Sequence, residues 1–186
     1  MKNIEFIKTA TKDYRVGAFT KSSKYTIEAV IKRIRLNASV IVEYGAGDGI
    51  TTKKILEKLP NQGRLAAIEI NEGFIEDLNK IKDHRLSVIK GDVVSLSKDF
   101  RKFGFSEAEC VISSIPFTFL TAKEREEVIF NTKSNLGTNG QFIVFQYSPL
   151  IFPLLKKYFK KVKMYYEIRN LPPYFIMVAE STTAQQ

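Results

Sequence analysis

The chain has 186 residues with 44% hydrophobic and 26% charged side chains, the proportions of one ordinary globular domain. A single cysteine, Cys110, excludes an internal disulfide and suits a reducing cytoplasm. The lone histidine, His84, leaves too few soft ligands for a zinc site or a histidine-based triad. The formal net charge of +9 points to an anionic partner, either nucleic acid or an anionic lipid surface.

The opening "MKNIEFIKTATKDYR" is interrupted by charges throughout and so lacks the apolar centre of a signal peptide. Ile4, Ile7, Thr11 and Tyr14 recur at helical spacing among lysines, the pattern of a short basic amphipathic helix. "VGAFTKSS" breaks that pattern, and Ser22 or Ser23 can cap a second helix through "KYTIEAVIKRI". From there strands and helices alternate. "SVIVEY" reads as a buried strand and "TTKKILEKL" as a helix stopped by Pro60. "RLAAIEI", "LSVIKGD" and "AECVISSI" are further strands, the first two separated by the helix "EGFIEDLNKI". Within "AECVISSI", Cys110 reads as a small buried apolar residue. Thr121 and Glu124 in "TAKE" have capping-box spacing at the start of another helix. "QFIVFQY", "KVKMYYEI" and "YFIMVAE" complete the list. The longest apolar runs, such as "FIVF", are far too short to span a bilayer.

This alternation predicts an α/β fold with a mostly parallel sheet covered by helices on both faces. "RNLPP" is too short for a helical crossover, so the last strand should run antiparallel to its neighbour.

"IVEYGAGDGITTKK" places Gly45, Gly47 and Gly49 between a strand and a helix, a turn whose amides can approach a ligand closely. A dinucleotide fingerprint would need glycine at position 50, where Ile50 stands. Glu43 puts a carboxylate where a pyrophosphate would lie, and a cationic cofactor tolerates it far better. S-adenosylmethionine, with its sulfonium and amino group, fits that requirement. Glu69 ends the next strand, 20 residues beyond Gly49, where a carboxylate can accept from both ribose hydroxyls. Asp92 ends a third strand and can accept from an adenine amino group. All three acids fall at the carboxyl ends of predicted parallel strands, where open α/β sheets bind ligands.

In these stretches, "VEYGAGDG", "AIEIN", "IKGDV" and "VISSIPF", the chain resembles the successive motifs of class I S-adenosylmethionine-dependent methyltransferases. The resemblance implies a Rossmann-like, single-domain, seven-stranded sheet with its last strand reversed. It implies a methyltransferase domain over 37–186, preceded by a helical segment, 1–36, that serves as cofactor lid and as access for substrate or membrane. Cofactor contacts are implied at Phe19, Glu43, Gly45, Gly47, Gly49, Glu69, Ile70, Asp92, Val93 and Ser113, and no metal is implied.

Two subgroups bear on the methyl acceptor. The rRNA adenine dimethyltransferases carry N-[IL]-P-[YF] after the fourth strand, whose asparagine orients an exocyclic amine. "SIPF" has Ser114 instead, and serine cannot present the same amide carbonyl. Those enzymes also carry a C-terminal helical domain, whereas this chain ends just beyond its last predicted strand. "NLPPY" looks superficially like the N-P-P-Y of DNA amino-methyltransferases, but it precedes the last strand instead of following the fourth. "VGAFTKSS", "VISSIPF", "FIVFQYSP" and "RNLPPY" are together similar to the bacterial phospholipid N-methyltransferases, with V-G-A-[IV]-x-P-S-S, V-x-S-x-[LI]-P, F-x-Y-x-P and N-L-P-P in this order. Lys21 replaces the usual proline, Ser114 the usual glycine, and "QYS" stands where "TYG" is common.

That resemblance implies transfer of methyl groups to the amino head group of a phospholipid such as phosphatidylethanolamine, by a cytoplasmic enzyme that associates peripherally with membrane. The amine is a good nucleophile once deprotonated, so positioning can supply most of the catalysis. Ser114 and Tyr147 are the candidate catalytic residues. Aromatic faces accommodate a quaternary ammonium product, and Tyr14, Phe19, Phe117 and Tyr147 are candidates for such a pocket. The basic N-terminus and "LLKKYFKKVK" have the mixture of a membrane-surface segment, although the same lysines would bind RNA phosphates. An RNA adenine N-methyltransferase, or an RNA- or lipid-binding module without turnover, are the alternatives.

Overall fold

The computed structural model describes residues 22–181. Tyr14, Phe19, Lys21, the amphipathic N-terminal helix and most of "VGAFTKSS" therefore lie outside the described residues.

Seven strands form one sheet in the order β3-β2-β1-β4-β5-β7-β6. They are β1 (Val40–Tyr44), β2 (Arg64–Glu69), β3 (Leu86–Lys90), β4 (Ala108–Ser113), β5 (Leu136–Gln146), β6 (Lys161–Glu167) and β7 (Tyr174–Glu180). The first five pair in parallel, while β7 runs antiparallel to both β5 and β6. The reversal expected from the short "RNLPP" link is present. Because β7 is antiparallel to both neighbours, β6 points the same way as β1 to β5, and the β6–β7 hairpin lies at their carboxyl end.

Side chains alternate between the two faces, and the central strands bury both. Val42, Tyr44, Val111, Phe142 and Val144 belong to one core layer, whereas Ile41, Ile112, Ile143 and Ile176 belong to the other. That is why "IVEY", "CVIS" and "FIVF" read as continuous apolar runs. Cys110 is fully buried among apolar neighbours, which pushes its thiol up to about 12 and leaves it inert. The edge strands β3 and β6 keep most of their side chains partly or fully exposed.

The helices are α1 (Lys24–Ile31), α2 (Ile50–Lys58), α3 (Glu72–Asn79), the single turn α4 (Val93–Leu96), α5 (Ala122–Ser134) and α6 (Phe152–Tyr158). Their starts are written in the sequence. Ser23 accepts from the amide of Thr26, Asn71 from Phe74 and Asp92 from Val94. Thr121 and Glu124 form the full capping box. Proline forces its predecessor out of the helical region, so α2 stops at Lys58, with Leu59 extended at ψ 133° before Pro60.

Helix α1 belongs to the same body as the sheet. Ile27, Val30 and Ile34 are buried, and the Lys58 ammonium donates to the carbonyls of Ile31 (2.8 Å) and Ile34 (2.6 Å). The run "LLKKYFKKVK" differs from its expected role. It divides between α6 and β6, with Leu155 and Phe159 buried in the core and Leu154, Tyr158 and Val162 packed partly buried against it. Burial of Leu155 and of Phe159 contributes roughly 1.5–3 kcal/mol each, far more than a surface contact would return.

Candidate functional site

The crevice sits where the chain leaves β1 toward β2 on one side and β4 lies on the other, the point where strand order reverses. The glycine turn is folded back over the end of β2, for the amides of Gly45 and Ala46 both donate to the Ile68 carbonyl (2.9 and 3.1 Å). Gly45 has φ +74°, and a Cβ there would stand 2.9 Å from Ile115 Cγ2 and 3.3 Å from Ser114 Oγ. Glycine is needed at this position for both conformation and space.

Glu69 fastens the turn from below. Its Oε2 accepts from the Gly47 amide (2.9 Å), and its Oε1 accepts from the amides of Ile70 (2.7 Å) and Asn71 (2.8 Å). A carboxylate offers about four acceptor positions, so three are filled and one remains, on Oε2. Among the described residues that position has no donor, so a single hydroxyl could occupy it, while a second acceptor for the expected ribose diol is already held by the Gly47 amide.

Glu43 is buried beside the turn, with the Thr52 hydroxyl donating to its Oε2 at 2.6 Å. Burial pushes its carboxyl up to about 8. The Thr52 hydrogen bond opposes that rise, and the charges of Glu69 and Asp48 add to it. The ionised form of Glu43 is therefore disfavoured in this site. Asp92 is exposed and caps α4 through the Val94 amide at 3.2 Å. Ile70 is partly covered and Val93 is buried on the same rim. The donor set fits S-adenosylmethionine: an acid with an open acceptor position, a buried acid that ionises beside a cation, and an exposed acid at a third strand end.

Across the crevice, the turn after β4 is tied down at several points. The Ser114 hydroxyl donates to the Gly45 carbonyl at 2.6 Å, and its amide donates to the Tyr44 carbonyl at 3.1 Å. The Phe117 amide donates to Oε1 of Gln146 (3.2 Å), whose Nε2 donates to the Ser148 carbonyl (2.6 Å). Tyr147 and Thr118 share a hydroxyl–hydroxyl hydrogen bond of 3.2 Å. Glycine turn, post-β4 turn and post-β5 turn thus form one connected wall.

Sequence reasoning missed Gln146. Its signal was a polar residue at the end of the buried strand "FIVFQ". Ser113 is fully buried and its hydroxyl has no hydrogen-bond partner among the described residues. Phe117, expected to line the substrate pocket, is a core residue instead, its ring wholly covered in the layer that contains Tyr44 and Phe100. Phe117 opens the short turn Phe117–Phe119 and is its one buried residue. Tyr147 stays partly exposed at the crevice end.

Comparison with known proteins agrees with this geometry. The model of the family described as ribosomal RNA adenine dimethylase matches residues 17–145. An ornithine lipid N-methyltransferase of Singulisphaera acidiphila is 26% identical over 162 residues, 85% of this chain and 84% of its own length. Among solved structures, the 1,6-didemethyltoxoflavin-N1-methyltransferase of Burkholderia thailandensis, with bound S-adenosylhomocysteine, superposes with a TM-score of 0.74 at 15% identity, covering 97% of this chain and 87% of that one. The N-methyltransferase NodS of Bradyrhizobium japonicum, in complex with S-adenosylhomocysteine, gives 0.68 at 13%, covering 86% and 89%. At such identities the two structures speak to the fold alone. The family match runs from before α1 through β1 to β4 and most of β5, and the chain accordingly belongs to the ribosomal RNA adenine dimethylase family, as a class I S-adenosylmethionine-dependent methyltransferase.

Proposed function

We propose that this methyltransferase acts on the amino head group of a membrane lipid, of the phosphatidylethanolamine or ornithine lipid kind, at the surface of an anionic membrane. Ser114 is the observation that carries the reading. Its hydroxyl is committed as a donor to Gly45 and cannot supply the amide carbonyl that orients an exocyclic base amine. An alkyl amine has a localised lone pair and needs no such group. The similarity to an ornithine lipid N-methyltransferase, spread over most of both chains, supports the same acceptor class.

Each residue then has a defined task. Glu69 would hold the ribose through its open acceptor position, Asp92 the adenine amino group, and the Gly45–Gly49 turn the amino acid portion of the cofactor. When bound, S-adenosylmethionine supplies an electrophilic methyl group on a sulfonium. Glu43, once ionised, adds a negative field that favours that cation over the neutral product. Ser114 and Gln146 fix the wall against which the amine is positioned, and Tyr147 offers a partly exposed ring to an ammonium. Solvent can take the proton of the amine before attack.

The enzyme would approach its substrate from the aqueous side, since no helix among the described residues is long and apolar enough to cross a membrane. The second reading, methylation of adenine in RNA, has the family match in its favour. Radiolabelled S-adenosylmethionine, offered with vesicles of phosphatidylethanolamine or ornithine lipid and, in parallel, with rRNA, separates the two. Label is expected in the organic phase; label confined to RNA would replace the lipid reading with the second one.

A further inference from the structure

We propose that the β6–β7 hairpin, residues 168–173, together with the turn after β5, is the surface through which this methyltransferase docks on an anionic bilayer. The inference rests on the lipid reading above and adds to it a place on the molecule.

The observation is a concentration of exposed apolar side chains at one end of the sheet. Leu171 is 96% exposed, Ile168 71% and Tyr166 57%, all within six residues. Leu150 and Tyr147 are also exposed, in the turn after β5. Register brings the two groups to the same level, because Tyr166 of β6 and Gln146 of β5 both pair with Phe175 of β7. Single exposed apolar residues are ordinary, but a cluster on neighbouring turns marks a binding surface. This is also the end at which β1 to β4 deliver Gly45, Glu69, Asp92 and Ser114. A bilayer against the hairpin would present head groups beside the crevice.

The hairpin is held rigidly. Asn170 is buried, and its Oδ1 accepts from the Ser23 amide (2.6 Å) and the Thr26 hydroxyl (3.1 Å), while its Nδ2 donates to the Pro172 carbonyl (2.8 Å). Arg169 pairs with both oxygens of Glu167 (2.7 Å each) and lies 4.6 Å over the Tyr25 ring. Ile168 and Leu171 are thus displayed on a braced turn, so inserting them would cost little ordering entropy.

Charge selects the partner. Lys24 is exposed on the first turn of α1, directly after the Ser23 that Asn170 holds, and Arg169 is exposed within the hairpin itself. Behind them stands a chain of net charge +9. Exposed aliphatic and aromatic side chains beside basic ones are the composition of an interfacial membrane contact. The run "LLKKYFKKVK" offers less apolar surface for this part, because Leu155 and Phe159 are in the core and Leu154, Tyr158 and Val162 are partly buried against it.

The chain contains no tryptophan, so Leu171→Trp installs a single reporter at a solvent-facing position. Its emission is expected to shift to the blue, and to be quenched by brominated lipid, on vesicles of phosphatidylcholine with phosphatidylglycerol. An unshifted, unquenched spectrum would overturn the proposal. Leu171→Glu and Ile168→Glu should each weaken cosedimentation with those vesicles at least tenfold, with cofactor affinity and thermal midpoint unchanged. Equal sedimentation of wild type and both variants would also overturn it. A wild-type dimer that Leu171→Glu converts to monomer would assign the surface to self-association instead. Vesicle binding is read without any methyl transfer: hairpin-dependent binding by an enzyme that labels no lipid would sustain the docking surface while removing the lipid acceptor.

Discussion

The Ser114 hydroxyl donates a 2.6 Å hydrogen bond to the carbonyl of Gly45, joining the turn that follows β4 to the glycine turn that follows β1. Position 114 is where the rRNA adenine dimethyltransferases carry the asparagine of their acceptor motif, and here it serves as a brace between two loops. Ser114→Ala should lower stability by about 1 kcal/mol in denaturant unfolding, the usual net value of one such bond. It should also weaken S-adenosylmethionine binding a few-fold, because the loosened turn must be reordered. Ser114→Asn should bind the cofactor more weakly still and methylate no adenine, since the longer side chain must fit where Gly45 already approaches. Adenine methylation by Ser114→Asn, measured by nucleoside chromatography, would show that the brace is incidental.

Glu69 holds the amides of Gly47, Ile70 and Asn71 at once. Glu69→Ala leaves all three without that acceptor and removes the position proposed above for a ribose hydroxyl. Calorimetry should find S-adenosylmethionine affinity reduced at least tenfold, about 1.4 kcal/mol. Glu69→Gln should fall between, because an amide oxygen accepts at only two positions and its nitrogen would face a donor. Wild-type affinity in Glu69→Ala would remove Glu69 from the cofactor site.

The parts of this architecture visible in the sequence are those governed by local rules. Strand β7 occurs at its predicted residues, "YFIMVAE", and the Thr121–Glu124 capping box forms as its spacing requires. The acids Glu43, Glu69 and Asp92 stand at strand ends because burial and turn chemistry at each were legible one element at a time. What escaped depends on contacts distant in sequence. Helix α6 was obscured by lysines, since whether Leu155 and Phe159 face water or the core is decided by where β5 and β7 lie. Phe117 reads as a pocket residue in the sequence because an aromatic beside a motif looks the same whether it points inward or outward. Gln146 could be recognised as a clamp only once the Phe117 amide stood opposite it.

Asn170 joins the hairpin to the start of α1 across a sequence separation of 147 residues. Asn170→Ala leaves the Ser23 amide and the Thr26 hydroxyl without that acceptor in a buried position. The expected loss is about 1–3 kcal/mol of stability, with faster amide exchange concentrated in α1. Asn170→Asp keeps an acceptor and loses the donor to Pro172, so its effect should be smaller. A uniform change in exchange across the sheet, without excess in α1, would count against Asn170 as the tie.

Glu43 links cofactor binding to pH. Its carboxyl rises from an ordinary value of 4.5 to about 8, chiefly by burial. A raised folded-state value means that the folded protein holds a proton the unfolded chain has released. The contribution to stability is therefore complete below about 4.5 and is lost as pH climbs toward 8, at roughly 1.4 kcal/mol per unit inside that window. A cation docked over the glycine turn favours the ionised form and lowers the value, so binding should release a proton. Affinity for S-adenosylmethionine should accordingly tighten as pH rises toward 8 and then level. Calorimetry in two buffers of different ionisation enthalpy reads the proton directly. Glu43→Gln should flatten both the stability slope and the affinity slope while keeping the bond to Thr52, and a released proton that persists in this variant would have to come from another group.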